Sequence, residues 1–282
     1  MKILSWNVNG LRAVYKRNFL KWLKSVDADF ICLQEIKAQK EKLPDELLNI
    51  DKYHAFFNFA QKPGYSGVAI YAKQKPAKTE YKLGLKRFDQ EGRIIALTYP
   101  GFSLINVYLP HGGRGKENLV YKLEVYKFLI NYLKKLKAEP KFYSLSSSKG
   151  KILASNPSTR SADGLAQGIN RPVIIIGDFN IAHTALDLAR PKQNQNNIMF
   201  TPEERAQIDA LVELGFTDIF RMFHKGGENY TWWPYFANAR ARNLGWRIDY
   251  CFTSKSLAPK VKKAFILSDV FGSDHCPIGV EI

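Results

Sequence analysis

The most constraining feature of this sequence is a run of four β-branched residues, 173–176, that leads directly into Gly-Asp-Phe-Asn at 177–180. Such a run predicts a strand that is buried on both faces. A carboxylate and an amide at its exit would lie on the rim of a sheet, where an ionised carboxylate needs a metal, a cation or a hydrogen-bond network. We therefore expect a sheet whose edge carries Asp178 and Asn180.

The same arrangement recurs at four other predicted strands. Apolar runs lead into Asn7, Glu35 and Tyr108, and Asp249 lies within a further apolar segment, residues 247–252. Because five strands each place an acid, an amide or a phenol near one end, these side chains are expected to meet in a single site.

Five short motifs also occur in a fixed order along the chain. They are Trp-Asn-Val-Asn-Gly-Leu-Arg-Ala at 6–13, Leu-Gln-Glu-Ile-Lys at 33–37, Gly-Tyr-Ser-Gly at 64–67, Gly-Asp-Phe-Asn at 177–180 and Gly-Ser-Asp-His at 272–275. The series resembles the exonuclease III family of abasic-site (AP) endonucleases. The wider superfamily also contains unspecific DNases, inositol-phosphate phosphatases and sphingomyelinases. The resemblance covers almost the whole chain.

The resemblance implies one α/β domain over residues 1–282. Its fold would be a DNase I-like four-layer sandwich of two packed, mainly antiparallel sheets flanked by helices. Residues at about 138–170 depart from the family pattern, because they have loop composition and no sustained period. We predict a loop insertion there, either solvated or in contact with a substrate or partner.

Two helices can be placed from local patterns. Apolar residues at three- and four-residue spacing predict an amphipathic helix from Leu119 to about Leu136. Thr201 and Glu204 have the spacing of a capping box, with Pro202 in the first turn, and Gly215 is suited to end that helix.

The chain of 282 residues carries a formal charge of +16, and such a charge attracts polyanions and raises encounter rates. A lysine-rich protein without a nucleic-acid partner would have the same charge, so charge alone leaves both interpretations open. Three cysteines without a Cys-x-x-Cys pair argue against a disulfide framework or a zinc site. Cys32 and Cys251 lie in apolar strand patterns and are predicted to be buried thiols.

The sequence shows no signal-peptide pattern, and no run reaches the roughly 18 apolar residues that span a membrane. We expect a protein of the cytoplasm or nucleoid in a prokaryote, or of the nucleus in a eukaryote. Secretion and membrane contact are not expected.

The resemblance implies a metal site. Glu35 would be the principal ligand, assisted by Asn7 and Asp274, while Asn9 offers a carbonyl oxygen where some members carry Asp. Hard oxygen ligands favour Mg²⁺, for which Mn²⁺ can substitute. One metal ion or two remain open, because Asn9 contributes no negative charge.

The resemblance also assigns catalytic roles. Asp178 would orient or deprotonate the attacking water, Asn180 would contact the phosphate or hold the water, and Tyr108 would contact the scissile phosphate. His275 is expected to pair with Asp249, which fixes its tautomer and favours the charged ring. Asp178 and His275 both remain candidates for the base.

The segment 230–247 interleaves aromatic residues with arginines and contains no acid. This pattern fits stacking on nucleic acid with phosphate contacts, and it fits an aromatic core beneath a basic surface equally well. With the resemblance, Trp232, Trp246 and Ile248 wall a pocket for an extruded abasic sugar, and Phe236 inserts near the lesion. The remaining implied DNA contacts are Arg12, Lys37, Tyr65, Arg114, Lys192, Asn194 and Asn197.

These observations predict an Mg²⁺-dependent AP endonuclease of base excision repair. It would act as a monomer and cleave duplex DNA 5′ to abasic sites, with 3′-end processing and 3′-to-5′ exonuclease activity in addition. The alternatives are an unspecific nuclease or another phosphodiesterase or phosphatase of the superfamily, and a DNA-binding protein without catalysis. The complete set of candidate catalytic residues disfavours the last of these.

Overall fold

The computed structural model of the protein describes residues 1–138 and 171–282. The predicted loop insertion at about 138–170 lies outside these residues, except for Ala138, which ends a helix. None of the described helices is long and apolar enough to cross a membrane.

The described part of the chain forms twelve strands and seven α-helices. The strands are β1 (Lys2–Asn7), β2 (Phe30–Gln34), β3 (His54–Asn58), β4 (Val68–Ala72), β5 (Lys78–Glu80), β6 (Ile94–Thr98), β7 (Ser103–Tyr108), β8 (Val173–Asp178), β9 (Phe216–Asp218), β10 (Asp249–Ser254), β11 (Lys263–Ile266) and β12 (Ile278–Glu281). The helices are α1 (Leu11–Tyr15), α2 (Phe19–Val26), α3 (Asp45–Leu48), α4 (Lys86–Gln90), α5 (Leu119–Ala138), α6 (Pro202–Glu213) and α7 (Ile219–Phe223).

The strands form two six-stranded sheets with similar topology. The first has the order β11-β12-β1-β2-β4-β3, and the second has the order β5-β6-β7-β8-β10-β9. Each sheet has one parallel pair at its centre, β1 with β2 and β7 with β8, and its other pairs are antiparallel. The predicted α/β sandwich with mainly antiparallel sheets is therefore confirmed.

Strand β8 shows why the sheets and helices form four layers. Ile174 and Ile176 pack into the core between the two sheets, whereas Val173 and Ile175 pack beneath α5 and α6. All four side chains are fully buried, as the apolar run predicts. A third cluster covers the outer face of the first sheet with residues of α1, α2 and α3.

Both helices placed from the sequence are present. The predicted amphipathic helix is α5, and α6 begins at the predicted capping box. Thr201 Oγ1 accepts a hydrogen bond from the Glu204 amide at 3.2 Å, and Glu204 Oε2 accepts one from the Thr201 amide at 3.1 Å. Gly215 follows the helix with a φ of 91°. Cys32 and Cys251 are buried free thiols, as predicted.

Strand register brings the polar strand ends together. Tyr108 pairs with Asp178 across the parallel β7–β8 pair, and Asp249 pairs with Asp178 across the antiparallel β8–β10 pair. Between the sheets, Gln34 Nε2 donates to Asn106 Oδ1 at 2.7 Å. The polar ends of the central strands of both sheets thus lie at one edge of the sandwich.

Gly177 is required where β8 approaches β7. A Cβ added there would lie 2.0 Å from the Val107 carbonyl oxygen, and the residue has a φ of 145°. We predict that Gly177→Ala lowers the free energy of unfolding by about 2–4 kcal/mol, because the central strand pair must separate. Chemical denaturation measures this change.

Gly101→Ala is the matched control, because a Cβ at Gly101 meets nothing within 4 Å. Its expected change lies within about 0.5 kcal/mol. An equal loss in the free energy of unfolding in Gly177→Ala and Gly101→Ala would contradict the steric argument.

Candidate active site

Asn7 joins the two sheets at the site. Its side chain is fully buried at the end of β1, and its Nδ2 donates to Glu35 Oε1 at 3.0 Å and to Asp178 Oδ2 at 2.9 Å. Glu35 follows β2 of the first sheet, and Asp178 ends β8 of the second. One amide thus brings together two carboxylates that are 143 residues apart in the sequence.

Asp178 is held by hydrogen bonds to both carboxylate oxygens. Oδ1 accepts from the Asn180 amide at 2.8 Å, and Oδ2 accepts from Asn180 Nδ2 at 3.2 Å in addition to Asn7. Burial and the nearby acid Asp249 raise the pKa of Asp178 to about 7, although the charge of His275 opposes the increase. A carboxyl group that titrates near neutral pH is suited to accept a proton.

His275 has the predicted pairing with Asp249. Its Nδ1 lies 2.9 Å from Asp249 Oδ2, and its Nε2 lies 3.9 Å from Asp178 Oδ2. Burial disfavours the charged ring, but the charge and hydrogen bond of Asp249 outweigh it and raise the pKa of His275 to about 10. The ring therefore carries a positive charge at neutral pH, with Nε2–H on the side of Asp178.

Lys37 lies inside the site. Its Nζ is 2.6 Å from Glu35 Oε2 and donates to Asn9 Oδ1 at 2.5 Å. Asn9 Nδ2 in turn donates to Asp274 Oδ1 at 2.9 Å. Burial opposes ionisation of Glu35, but the charge of Lys37 and the Asn7 amide outweigh it and lower the pKa of this carboxyl. Lys37 therefore contacts two of the residues implied as metal ligands, Glu35 and Asn9, and Asn9 connects them to Asp274.

Asp274 lies apart from the cluster of acids. Its Oδ2 accepts from Trp232 Nε1 at 3.1 Å, and its Oδ1 accepts from Ser273 Oγ at 3.1 Å and from Asn9. In contrast, Glu35, Asp178 and His275 each place a potential ligand atom within 4.8 Å of the others. This cluster could hold a metal ion, and its two carboxylates offer hard oxygen ligands.

Arg93 is a site residue that the sequence did not indicate. Its side chain is buried, with the guanidinium 4.3 Å from the centre of the Tyr108 ring and Nη1 donating to the Tyr108 carbonyl at 3.2 Å. Nη2 donates to the Tyr65 hydroxyl at 3.0 Å, and Nε donates to Glu91 Oε2 at 2.6 Å. The sequence signal was weak, because Arg93 belongs to no motif and merely precedes β6.

Most of the implied pocket and DNA-contact residues surround one open cavity beside Asp274. The backbones of Trp232 and Trp246 pair with each other through hydrogen bonds of 2.9 Å in both directions. Ile248 is buried and packs behind these two rings, so it supports the wall. This cavity, called the aromatic cavity below, has a volume of about 780 Å³. Its lining includes Arg114, Asn194, Asn197, Trp232, Phe236, Trp246 and Asp274.

The remaining implied DNA contacts lie elsewhere. Arg12 lines a separate basic groove with Lys16 and Arg17. Lys192 is exposed, and Tyr65 is held by Arg93. The structure therefore places Arg12 and Lys192 on the surface outside the lining of the aromatic cavity.

Part of the basic segment 230–247 is structural. Arg247 is buried, and it donates from Nε to Asp187 Oδ1 at 2.7 Å and from Nη2 to Asp218 Oδ2 at 2.7 Å. Arg240 donates to the carbonyls of Ser268 and Val270, each at 2.7 Å. Arg247 is thus a core residue, whereas both interpretations of the segment placed its arginines at the surface, and its burial excludes phosphate contact.

Comparisons of this chain with known proteins all find similarity to nucleases or to the family that contains them. Residues 4–275 match the profile of the Endonuclease/Exonuclease/phosphatase family. An exodeoxyribonuclease of Bacillus subtilis is 40% identical over 280 residues, which cover 99% of this chain and 98% of that protein. A DNA repair nuclease of Danio rerio is 37% identical over 281 residues, which cover 99% of this chain and 81% of that protein. An AP endonuclease structure from Archaeoglobus fulgidus has a TM-score of 0.80 at 26% identity, and the match covers 100% of this chain and 98% of that one.

The buried Asp187 yields a pH-dependent prediction. Burial opposes its charge, but Arg247 and Arg221 outweigh it and lower the pKa of Asp187 from 3.8 to about 2. Because the folded pKa is the lower one, this stabilisation is complete above about pH 4 and is lost as the pH falls towards 2. We predict that Asp187→Asn lowers the free energy of unfolding by about 2 kcal/mol at pH 7.

Denaturant titrations of both proteins at pH 7 and pH 3 measure this effect. The difference in the free energy of unfolding between parent and variant should narrow at pH 3, because the carboxyl of the unfolded parent is then largely protonated while that of the folded parent is still ionised. Asp209→Asn, at a more exposed acid, is the control and should change stability by less than about 0.5 kcal/mol at either pH. If parent and Asp187→Asn differ in the free energy of unfolding by the same amount at both pH values, the lowered pKa of Asp187 is contradicted.

Proposed function

The chain belongs to the endonuclease/exonuclease/phosphatase family, and on that basis we propose that it is an AP endonuclease, which hydrolyses the phosphodiester 5′ to abasic sites in duplex DNA. It is a phosphodiester hydrolase, and its substrate is DNA. The observation that carries the proposal is the cluster of Glu35, Asp178 and His275, whose imidazole ring lies 6.4 Å, centre to centre, from the ring of Trp232 in the lining of the aromatic cavity. Removal of blocked 3′ ends and 3′-to-5′ exonuclease activity belong to the same proposal, as does a monomeric state.

The cluster fits a hard divalent cation, and we assign Mg²⁺, with Mn²⁺ as a substitute. Glu35 would hold it through its carboxylate oxygens, and the Asn7 amide, whose Nδ2 donates to Glu35 Oε1, would keep that carboxylate in position. His275 is a poor ligand, since the charged ring has no free lone pair at the coordinating nitrogen. When bound, Mg²⁺ would offset negative charge on the phosphoryl oxygens.

Asp178 is proposed as the base. Its raised pKa makes it able to take a proton from water at neutral pH, and its position between Asn7 and Asn180 fixes the direction of the carboxylate. Asn180 holds the same turn through its Nδ2, which donates to the Leu109 carbonyl at 2.8 Å.

His275 and Tyr108 supply positive charge and a hydrogen-bond donor. Asp249 keeps His275 protonated, so Nε2–H can donate to a phosphate oxygen on the side facing Asp178. Burial raises the pKa of Tyr108 well above its usual value, so the phenol keeps its proton and can donate as well. Arg93 holds the Tyr108 ring and carbonyl in place.

The aromatic cavity supports selection of abasic sites. A deoxyribose without a base can enter the cavity that Trp232 and Trp246 line, and extrusion is easiest where base pairing is already lost. Phe236 is 72% exposed beside the cavity, as an inserting side chain must be. The second candidate, an unspecific nuclease, shares the acidic cluster but has no use for this cavity.

The first experiment is cleavage of an end-labelled duplex with one abasic analogue, beside an undamaged duplex of the same sequence. We expect incision 5′ to the lesion with Mg²⁺, none with EDTA, and at least about 100-fold slower cleavage of undamaged DNA. Equal cleavage of the two duplexes would favour the unspecific nuclease. Cleavage of neither would contradict the proposal.

Asp178→Asn tests the base. We predict that kcat falls at least about 100-fold, because a positioned acid–base group contributes about 10²–10⁴-fold. DNA affinity, measured by fluorescence anisotropy in EDTA, should remain within about threefold. Asp209→Asn serves as the control for replacing an acid, and its kcat should equal that of the parent. Near-normal cleavage by Asp178→Asn would remove Asp178 from the mechanism.

A further inference from the structure

Two side chains of α5 that have no role in the proposed chemistry reach the backbone of the catalytic turn, residues 178–180. Lys122 and Tyr126 lie four residues apart, so they share one helix face. Tyr126 OH donates to the Phe179 carbonyl at 2.6 Å, and Lys122 Nζ donates to the Asn180 carbonyl at 2.6 Å. One helix face therefore holds two successive carbonyls of the turn.

The charge on Lys122 is fully buried. Its Nζ also donates to Glu204 Oε1 at 2.5 Å, and both side chains have no solvent exposure. Glu204 is held in turn by the capping box of α6 with Thr201. Buried ion pairs generally add little stability compared with apolar side chains of the same size, because desolvation offsets their attraction. A role in stability is therefore a weak explanation for this pair.

The catalytic turn needs external support. Asn180 has a φ of 52°, which lies in the left-handed region that residues other than glycine rarely adopt. In that conformation its backbone amide donates to Asp178 Oδ1 at 2.8 Å. The direction of the Asp178 carboxylate therefore depends on the position of the Asn180 peptide.

We propose that Lys122 and Tyr126 are positioning residues for the hydrolysis. By holding the carbonyls of Phe179 and Asn180, they fix the peptide whose amide orients the Asp178 carboxylate. They act through the backbone and do not touch the substrate. This inference rests on the proposed function, because it concerns the same site.

The first test replaces the ion pair by neutral side chains of similar length, Lys122→Met with Glu204→Gln. Glutamine preserves the capping box. We expect kcat on the abasic duplex to fall about 10- to 100-fold, with KM within about twofold, because a displacement of about 1 Å has effects of this size. When Asp178 is already replaced by asparagine, the same two substitutions should lower kcat further by less than about twofold, because the carboxylate that they orient is no longer present.

Tyr126→Phe is the second test, and it decides the question if the double variant does not fold. It removes one hydroxyl group from a buried ring, and we expect kcat to fall about threefold to tenfold. Leu133→Ala is the matched control, because Leu133 is fully buried on α5, about 10 Å beyond Tyr126 along the helix. It should lower Tm and leave kcat unchanged.

Amide hydrogen exchange gives a measurement that does not require activity. Relative to amides of β8, the Asn180 amide should exchange at least about tenfold faster in both positioning variants than in Leu133→Ala. If the parent does not cleave the abasic duplex, the proposed function fails, while the exchange rates still decide the positioning role. Three results would overturn the positioning role of Lys122 and Tyr126. They are an unchanged exchange rate of the Asn180 amide, a kcat equal to that of the parent in positioning variants that fold, and a loss of kcat in Leu133→Ala as large as in those variants.

Discussion

The hydrogen bonds from Asn7 to Glu35 and Asp178 are the constraint on which the site depends. The two carboxylates belong to different sheets, so their separation is set by how the sheets pack. A buried amide that donates to both fixes this separation and offsets part of the cost of burying negative charge. The strand ends can therefore converge without the acids moving apart.

The electrostatics of the site divide its groups into distinct roles. Lys37 stabilises the ionised form of Glu35, whereas burial and a neighbouring acid raise the pKa of Asp178 to about 7. Asp249 keeps His275 charged. The result is one ionised carboxylate suited to a cation, one carboxyl suited to proton transfer and one cationic donor, all close together.

Supporting residues outside the short motifs keep this geometry. Arg93 holds Tyr108 and Tyr65, and α5 reaches the catalytic turn through Lys122 and Tyr126. These supports lie on elements that the motifs do not include. The short motifs therefore contain Glu35, Asp178 and His275, while Tyr108, Asp249 and much of the rigidity come from residues between the motifs.

The order of motifs, the apolar run of β8 and the capping box of α6 were readable from the chain, because they depend on local spacing and on burial of whole strands. The convergence of the strand-end acids was also predictable, since buried strands expose their polar ends at a sheet edge. Side-chain environments were not. Lys37 lies inside the site and Arg247 lies in the core, although both are basic residues within segments expected to meet DNA. Their positions depend on partners distant in sequence, Asn9 for Lys37 and Asp187 for Arg247, and only the packing of the two sheets brings those partners within reach.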